Sequence, residues 1–442
     1  MATEKQGAPG ERLSLAEAFA GVADPRVLGR SKYVLVEMLV TAVCAMVCGV
    51  EDFVGIEAWA NERIDWLRRF LQLENGVPSH DTLGRLFGLL DRGAVEKSFR
   101  AWVSSVLPAL AQGSVVAIDG KASRRSRKKG LPALHLVSAF ATEARLVLGQ
   151  QACAEKSNEL SAIPVLLEAL MLKGVIVTID AMGTHSNIAQ AIRDKQADYV
   201  LAVKDNQPTL AESITTFFEI GQAEGWKHTP HSYVESIEKD HGRLERRRCW
   251  AFDQLDCLAN PQQWPDLKMF GVIEAQRTIN DKTSCERRLY IGSIAAEAAT
   301  LANAVRAHWG IENSVHWCLD VAFNDDQMRA REKNAGANLA TVRRLVLNLF
   351  RLDKSSRKGG IYTRRILAAS SDSYRARQSL QDCTLPNARA MICEFAPHRI
   401  DRTDTVQKSN CRTAFSNPYR SNFPRLRSNG AKDHCFQNAP LP

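Results

Sequence analysis

The amino-acid sequence predicts an α/β core with an inserted β-rich segment, preceded by an all-helical N-terminal region. Apolar residues recur at spacings of three and four over residues 13–110, which is typical of amphipathic helices. From Ser114 onwards, short continuous apolar runs alternate with helical patterns, which indicates strands that are buried on both faces of a sheet. We therefore expect a largely parallel sheet in the core.

The composition is that of an ordinary folded protein. The 442 residues are 45% hydrophobic and 24% charged, with a formal net charge of +9, which permits a polyanionic partner such as nucleic acid without identifying one. The 11 cysteines form no CxxC pair and no signal peptide opens the chain, so we expect a reduced, cytoplasmic compartment. The most apolar stretch, residues 34–50, is short and contains Glu37, so we predict a buried helix and no membrane association.

The N-terminal region contains one clear helix start. Residues 1–12 are polar, and we expect them to be disordered. Pro78-Ser79-His80-Asp81-Thr82 combines a proline with capping residues before an apolar pattern, and a second helix is expected over 95–106. Two such helices could enter a DNA groove, or they could serve packing alone.

The core elements alternate along the chain. Strands are expected at 115–118, 134–140, 145–151, 175–179 and 198–204. Helices are expected at 158–170, at 186–195 and from Pro208. Within about 225–300, further antiparallel strands are expected at 232–237, 244–252, 269–277 and 287–291. A helix over 299–323, bent near Trp309-Gly310, and a last helix over 338–352 complete the core.

The C-terminal residues 376–442 differ from the rest of the chain. They contain ten Lys or Arg and five Asp or Glu, so they supply five of the nine excess positive charges. Apolar periodicity is weak there, which favours a poorly structured extension beyond a core that ends near residue 375.

Three carboxylates stand out by their context. Asp119 and Asp180 each follow a continuous apolar run, at the edge where open α/β sheets bind ligands. Glu312 lies between His308 and His316 at spacings of four, which places the three on one helical face. Buried carboxylates are costly unless they are paired or hold a cation, and oxygen ligands suit Mg²⁺ or Mn²⁺. The alternative is that both aspartates merely form turns at strand ends.

Basic residues follow the first aspartate. Arg124, Arg125, Arg127 and Lys128 could contact the DNA backbone beside a metal site, or they could form a solvated loop. Lys204, at the end of another predicted strand, could also reach a phosphate, or its stem could simply lie along apolar surface.

A zinc hydrolase is a competing interpretation of the predicted helix. Histidines one or two turns apart can bind zinc, and His308, Glu312 and His316 have that spacing. The order of these residues does not match the H-E-x-x-H pattern of zinc hydrolases, which counts against this interpretation.

The sequence resembles the H-repeat-associated (Rhs-element-associated) group of bacterial insertion-sequence transposases over roughly residues 13–375. The matching segments of the core are AIDGK (117–121), LHLVSAF (134–140), EKSNEL (155–160), TIDAMGTH (178–185), YVLAVKDNQ (199–207), HGRLERR (241–247), HWGIENSVHWCLDVAFNDD (308–326) and NLATVRRLVLNLF (338–350). The resemblance implies an RNase H-like catalytic domain over 111–375, with its β-rich insertion at about 225–300, and a DNA-binding role for the helices of 13–110.

The resemblance also implies the chemistry. Asp119, Asp180 and Glu312 would form the acidic triad that binds Mg²⁺ or Mn²⁺, cleaves the DNA of the element's ends and joins the 3′ hydroxyl to target DNA. The tyrosine, arginine and lysine that often surround the glutamate are replaced by Val305, His308 and Leu319, so Arg306 or His308 would have to grip phosphate instead.

The implied partners are double-stranded DNA and further copies of the chain. Joining two element ends requires at least a homodimer, working at the bacterial nucleoid. An inactive, DNA-binding relic or regulator is the alternative, because the unusual C-terminal extension could block assembly.

Overall fold

The computed structural model describes residues 12–380 except for 28, 108, 128–132, 154–158, 241–242, 281 and 354–358. Residues 1–11 and 381–442 lie outside the described ones. The disorder expected for residues 1–12 and most of the poorly structured extension expected for 376–442 fall on those residues. The described residues belong to one compact unit.

The N-terminal region is helical, as predicted. Its helices are α1 (Leu15–Ala20), α2 (Leu35–Val47), α3 (Phe53–Glu62), α4 (Ile64–Leu67), α5 (His80–Leu89) and α6 (Arg92–Val106). The predicted helix start is confirmed, since the Ser79 hydroxyl accepts a hydrogen bond from the backbone N–H of Thr82. The apolar stretch forms α2, which is buried almost all round, as a helix without a polar face must be.

The nine strands of the described residues form one sheet. Its strands are β1 (Val115–Ser123), β2 (Leu134–Ala141), β3 (Leu146–Ala152), β4 (Ile176–Ile179), β5 (Asp198–Val203), β6 (Ser232–Asp240), β7 (Arg243–Phe252), β8 (Met269–Ile279) and β9 (Lys282–Gly292). They lie in the order β3-β2-β1-β4-β5-β9-β8-β7-β6.

The expectation of a largely parallel sheet is wrong. Among the described strands, only the pairs β1–β4 and β4–β5 are parallel. Parallel neighbours need a crossover connection of a dozen or more residues, and the helical segments that precede β4 and β5 provide it. The strand pairs β2–β3, β6–β7, β7–β8 and β8–β9, each consecutive along the chain, are antiparallel.

The β-rich segment continues the same sheet. All four of its predicted strands are present, and β9 pairs antiparallel with β5, for example Leu201 with Ile291. The segment therefore lengthens the sheet on the side away from β1.

Most of the remaining described helices pack against the sheet, and the last two pack against other helices. The remaining helices are α7 (Glu159–Glu168), α8 (Ser186–Asp194), α9 (Pro208–Ala223), α10 (Ala298–His308), α11 (Trp317–Phe323), α12 (Ala335–Leu352), α13 (Ile361–Ser370) and α14 (Asp372–Leu380). The predicted helix over 299–323 is divided, since a π-helical turn at Glu312–His316 separates α10 from α11. The start of the predicted loose extension, residues 376–380, is helical.

No helix in the described part of the chain is long and apolar enough to cross a membrane.

Candidate active site

Asp119 and Asp180 lie side by side on neighbouring strands. In the last parallel pair between β1 and β4, Ile118 lies beside Ile179. The next residue along the chain is an aspartate in both cases, Asp119 and Asp180. Asp180 directly follows β4, as expected, whereas β1 continues past Asp119 to Ser123 because it remains paired with β2. The pairing of β1 with β4 ends at Ile118 and Ile179, so the aspartates lie where the backbone of β1 loses its neighbour on that side.

Glu312 approaches from the helical layer. Ala298, Leu301 and Ala304 of α10 are buried in an apolar cluster with residues of the sheet, which fixes the helix over β1 and β4. The following π-helical turn carries Glu312 and His316, whose Nδ1 lies 2.9 Å from Oε2 of Glu312 and 3.4 Å from Oδ2 of Asp119. Such turns are frequent at functional sites.

Three of these side chains could hold a metal ion together. Ligand atoms of Asp119, Glu312 and His316 all lie within 4.8 Å of one another. Asp180 is adjacent but is not in this group; its Oδ1 accepts a hydrogen bond of 3.3 Å from the backbone N–H of Gly183 and caps a short 3₁₀ turn. The structure thus brings Asp119 and Glu312 together and places Asp180 beside them.

The electrostatics of the site are those of crowded carboxylates. Burial and the neighbouring charge of Asp180 raise the pKa of Asp119 to about 6, although His316 opposes the shift. Burial, followed by the charge of Glu159, also raises the pKa of Asp180. The hydrogen bond from His316 lowers the pKa of Glu312, whose side chain is 57% exposed. The two aspartates are therefore crowded by burial and by like charge, which His316 offsets in part at Asp119, while the glutamate faces solvent.

Three further ion pairs of the described residues flank the aspartates. Lys121 Nζ lies 2.7 Å from Asp320 Oδ2 and 3.5 Å from Asp326 Oδ1, which ties β1 to α11 and to the turn after it. On the other side, His135 Nε2 lies 2.7 Å from Oε1 of Glu159. The matching segments of the sequence contain Lys121, His135 and Glu159, yet their pattern gave no role to any of them, because each pairing joins residues that are distant along the chain.

The predicted phosphate-binding arginines lie beside the site. Arg124, Arg125 and Arg127 are exposed directly after β1, and Arg124 Nε is 3.5 Å from Asp326 Oδ2. Lys204 is exposed directly after β5. Lys128 lies outside the described residues. Contact of these side chains with DNA stays a prediction.

Arg306 and His308 have protein partners in the structure. Arg306 Nη1 lies 2.7 Å from Glu238 Oε1 on β6. His308 Nδ1 is 2.9 Å from the Thr178 hydroxyl, and burial lowers the pKa of His308 to about 4. The imidazole is therefore neutral at pH 7, so any grip on phosphate by His308 would be a neutral hydrogen bond.

The zinc interpretation finds no support in the described residues. It needs His308, Glu312 and His316 as a group, but Asp119 takes the place of His308 in the metal-capable cluster. His308 instead bonds to Thr178 of β4.

Comparison with known proteins gives a consistent result. The family model described as "Transposase DDE domain" matches residues 110–349, and the model described as "DDE_Tnp_1-associated" matches residues 16–103.

Two relatives from Escherichia coli cover most of the chain. "Putative transposase YncI" is 37% identical over 374 residues, which are 82% of this chain and 93% of that protein. "H repeat-associated putative transposase YhhI" is 34% identical over 375 residues, which are 83% and 97%. Among solved structures, the piggyBac transposase in a synaptic complex with hairpin DNA is 10% identical and covers 87% of this chain and 78% of that one, with a TM-score of 0.39 that is too low to carry an argument.

The two family models together match the helical region and the segment 110–349, which contains Asp119, Asp180 and Glu312. The predicted kinship with the H-repeat-associated group is confirmed by the relatives that cover most of the chain. This chain belongs to the family of DDE transposases.

Proposed function

We propose that the chain is the transposase of an insertion sequence, which cleaves phosphodiester bonds at the element's ends and joins the freed 3′ hydroxyl to target DNA. The observation that carries the proposal is the convergence of Asp119 and Glu312 within 4.8 Å, together with His316 and beside Asp180. These acids come from a central strand, the end of its neighbour and a helix, so their meeting depends on the whole fold.

The residues at the site fit Mg²⁺ or Mn²⁺. Burial raises the pKa of Asp119 to about 6, and Asp180 adds to the shift, so a divalent cation bound here would stabilise the ionised carboxylates. Asp119 with Glu312 and His316 would hold one ion, and Asp119 with Asp180 a second. Two such ions supply the charge that activates the attacking oxygen and stabilises the leaving oxygen of a phosphodiester.

The protein's own side chains position the DNA. The exposed Glu312 carboxylate borders the surface on which the scissile phosphate would lie, and His316 holds its orientation. Arg124, Arg125 and Arg127 extend from the same end of β1 and would neutralise backbone phosphates. The helices of residues 13–110 would bind the terminal repeats, and two or more copies of the chain would bring both ends together in the bacterial cytoplasm, at the nucleoid.

A cleavage assay on element-end DNA with Mg²⁺ tests the proposal. The variants Asp119→Asn, Asp180→Asn and Glu312→Gln should each lose detectable cleavage while still binding DNA, because each removes a charged ligand but keeps the shape of the side chain. Asp253→Asn, which changes an exposed carboxylate after β7, serves as the matched control and should cleave normally.

Undiminished cleavage by all three triad variants would overturn the assignment. Wild-type protein that binds the ends but never cleaves them would instead support the inactive, regulatory relic.

A further inference from the structure

A fourth acidic side chain, Glu159, lies at the proposed active site without an assigned role. Glu159 is the first residue of α7, and only 7% of its surface is exposed. Its Oε1 atom is 2.7 Å from His135 Nε2 on β2, and this hydrogen bond raises the pKa of His135. The pairing holds the carboxylate in one place and keeps it buried.

The pair lies against β1 immediately after Asp119. A Cβ atom at Gly120 would collide with Oε1 of Glu159 and would come within 2.8 Å of His135 Nε2. Successive side chains of a strand point to opposite faces, so Asp119 faces the side of Glu312 and His316, and Gly120 faces Glu159. The bare backbone at Gly120 therefore lets the Glu159 carboxylate approach the aspartates from the face opposite Glu312.

The charge of Glu159 acts on both aspartates. It is, after burial, the largest cause that raises the pKa of Asp180, and it adds to the upward shift of Asp119. Without a cation, the negative charge of Glu159 raises the free energy of the ionised forms of Asp119 and Asp180. With a divalent cation between them, the same charge becomes attractive, and burial reduces its screening by solvent.

We propose that Glu159, clamped by His135, is a positioning residue of the active site whose charge strengthens binding of divalent cations by Asp119 and Asp180. This inference rests on the proposed function, because it assigns Glu159 to the metal centre of that same site. A purely structural Glu159–His135 pair would leave the affinity for cations unchanged.

Titration of the metal-free full chain with Mn²⁺, followed by the electron paramagnetic resonance of free Mn²⁺, tests the proposal. Glu159→Gln should weaken Mn²⁺ binding by roughly tenfold, the lower end of the range for residues that support metal ligands. The Mn²⁺ concentration for half-maximal cleavage should rise by a similar factor, and saturating Mn²⁺ should restore most of the cleavage rate. An unchanged Mn²⁺ affinity would overturn the proposal, and so would a loss of cleavage that saturating Mn²⁺ does not restore.

A second variant covers the case in which Glu159→Gln fails to fold. Gly120→Ala keeps every charge but displaces the carboxylate of Glu159, and the backbone at Gly120 does not require glycine since its φ is not positive. Mn²⁺ binding should weaken in this variant as well, and wild-type affinity would refute the proposal. Glu219→Gln is the matched control, since Glu219 of α9 forms an ion pair with Arg287, 3.3 Å apart, outside both the proposed metal site and the proposed DNA-binding helices.

Asp119→Asn separates this inference from the proposed function. If Asp119→Asn loses Mn²⁺ binding and Glu159→Gln retains wild-type affinity, only the role of Glu159 is refuted. If Asp119→Asn binds Mn²⁺ and cleaves DNA like the wild type, the proposed function itself fails.

Discussion

His316 illustrates how one buried side chain organises the acids around it. Its side chain is 4% exposed, and its Nδ1 atom lies within 3.4 Å of carboxylate oxygens from both Asp119 and Glu312. Glu312 is the most exposed member of the site, with 57% of its side chain accessible to solvent. The histidine therefore limits the positions that the glutamate can take before any metal binds.

Removal of this imidazole should impair catalysis. In His316→Leu, Glu312 loses its hydrogen bond and its pKa should return upward towards the usual range of a glutamate. We expect Mg²⁺-dependent cleavage to slow by at least roughly ten- to a hundredfold, the range for residues that orient metal ligands, because His316 both orients Glu312 and belongs to the group that would hold one ion. His231→Leu, before β6, is the control. Equal rates for His316→Leu and the wild type would show that Glu312 needs no such support.

At the scale of elements, the contact between α6 and the layer of α12 and β3 contains an unusual charge. Glu96 of α6 is 2% exposed, and burial raises its pKa to about 7, although Arg100, one turn away, opposes the shift. A carboxylate here costs free energy whenever it is ionised, since burial removes its hydration.

This burial makes the stability of the protein depend on pH. Between its ordinary pKa of 4.5 and the folded value of about 7, Glu96 keeps its proton in the native state and loses it in the unfolded state. The free energy of unfolding should therefore fall as pH rises through that window, by on the order of 3 kcal/mol.

In Glu96→Gln, the free energy of unfolding should lack this pH-dependent component. Chemical unfolding at pH 5 and pH 8 measures it, and the variant should gain stability relative to the wild type at the higher pH. The same pH dependence in both proteins would mean that Glu96 is solvated in solution.

In the molecule as a whole, the last described helices, α13 and α14, pack against α2 of the N-terminal region. Arg375 of α14 is fully buried; its Nε lies 3.0 Å from the Ala368 carbonyl and 3.2 Å from Cys48 Sγ at the end of α2. Arg365 of α13 donates to the Met46 carbonyl. The C-terminal helices thus complete the environment of the apolar helix α2, which would otherwise expose part of its surface.

This packing predicts where the chain can be shortened. A protein ending at Leu380 keeps α14 and should unfold at the same temperature as the full chain. It should also cleave DNA at the rate of the full chain. A protein ending at Ser373 loses Arg375 and should unfold several degrees lower, because α2 and Cys48 lose a buried partner. Thermal unfolding followed by circular dichroism checks both. A midpoint for the shorter protein that equals that of the full chain would show that α14 adds no stability.

Local patterns account for much of what could be predicted. The periodicity of apolar residues located the described strands and most of the longer helices, but not α13 and α14. Burial of one face or both leaves such a repeat in the chain. Asp119 and Asp180 were identified because each follows a continuous apolar run. Glu312 was placed on a helix, but the π-helical turn that aims it at Asp119 leaves no such repeat.

Strand direction, the meeting of the acids and the role of neighbouring side chains depend on packing between distant segments. The sequence alone specified which residues are apolar, where the elements begin and which carboxylates follow strands. Only the tertiary structure showed that most strand pairs are antiparallel and that His316 contacts both Asp119 and Glu312. The approach of Glu159 and His135 to Gly120 was likewise visible only there. Contacts of that kind depend on register and on the approach of one layer to another, and they are not encoded by the spacing of residues within any one segment.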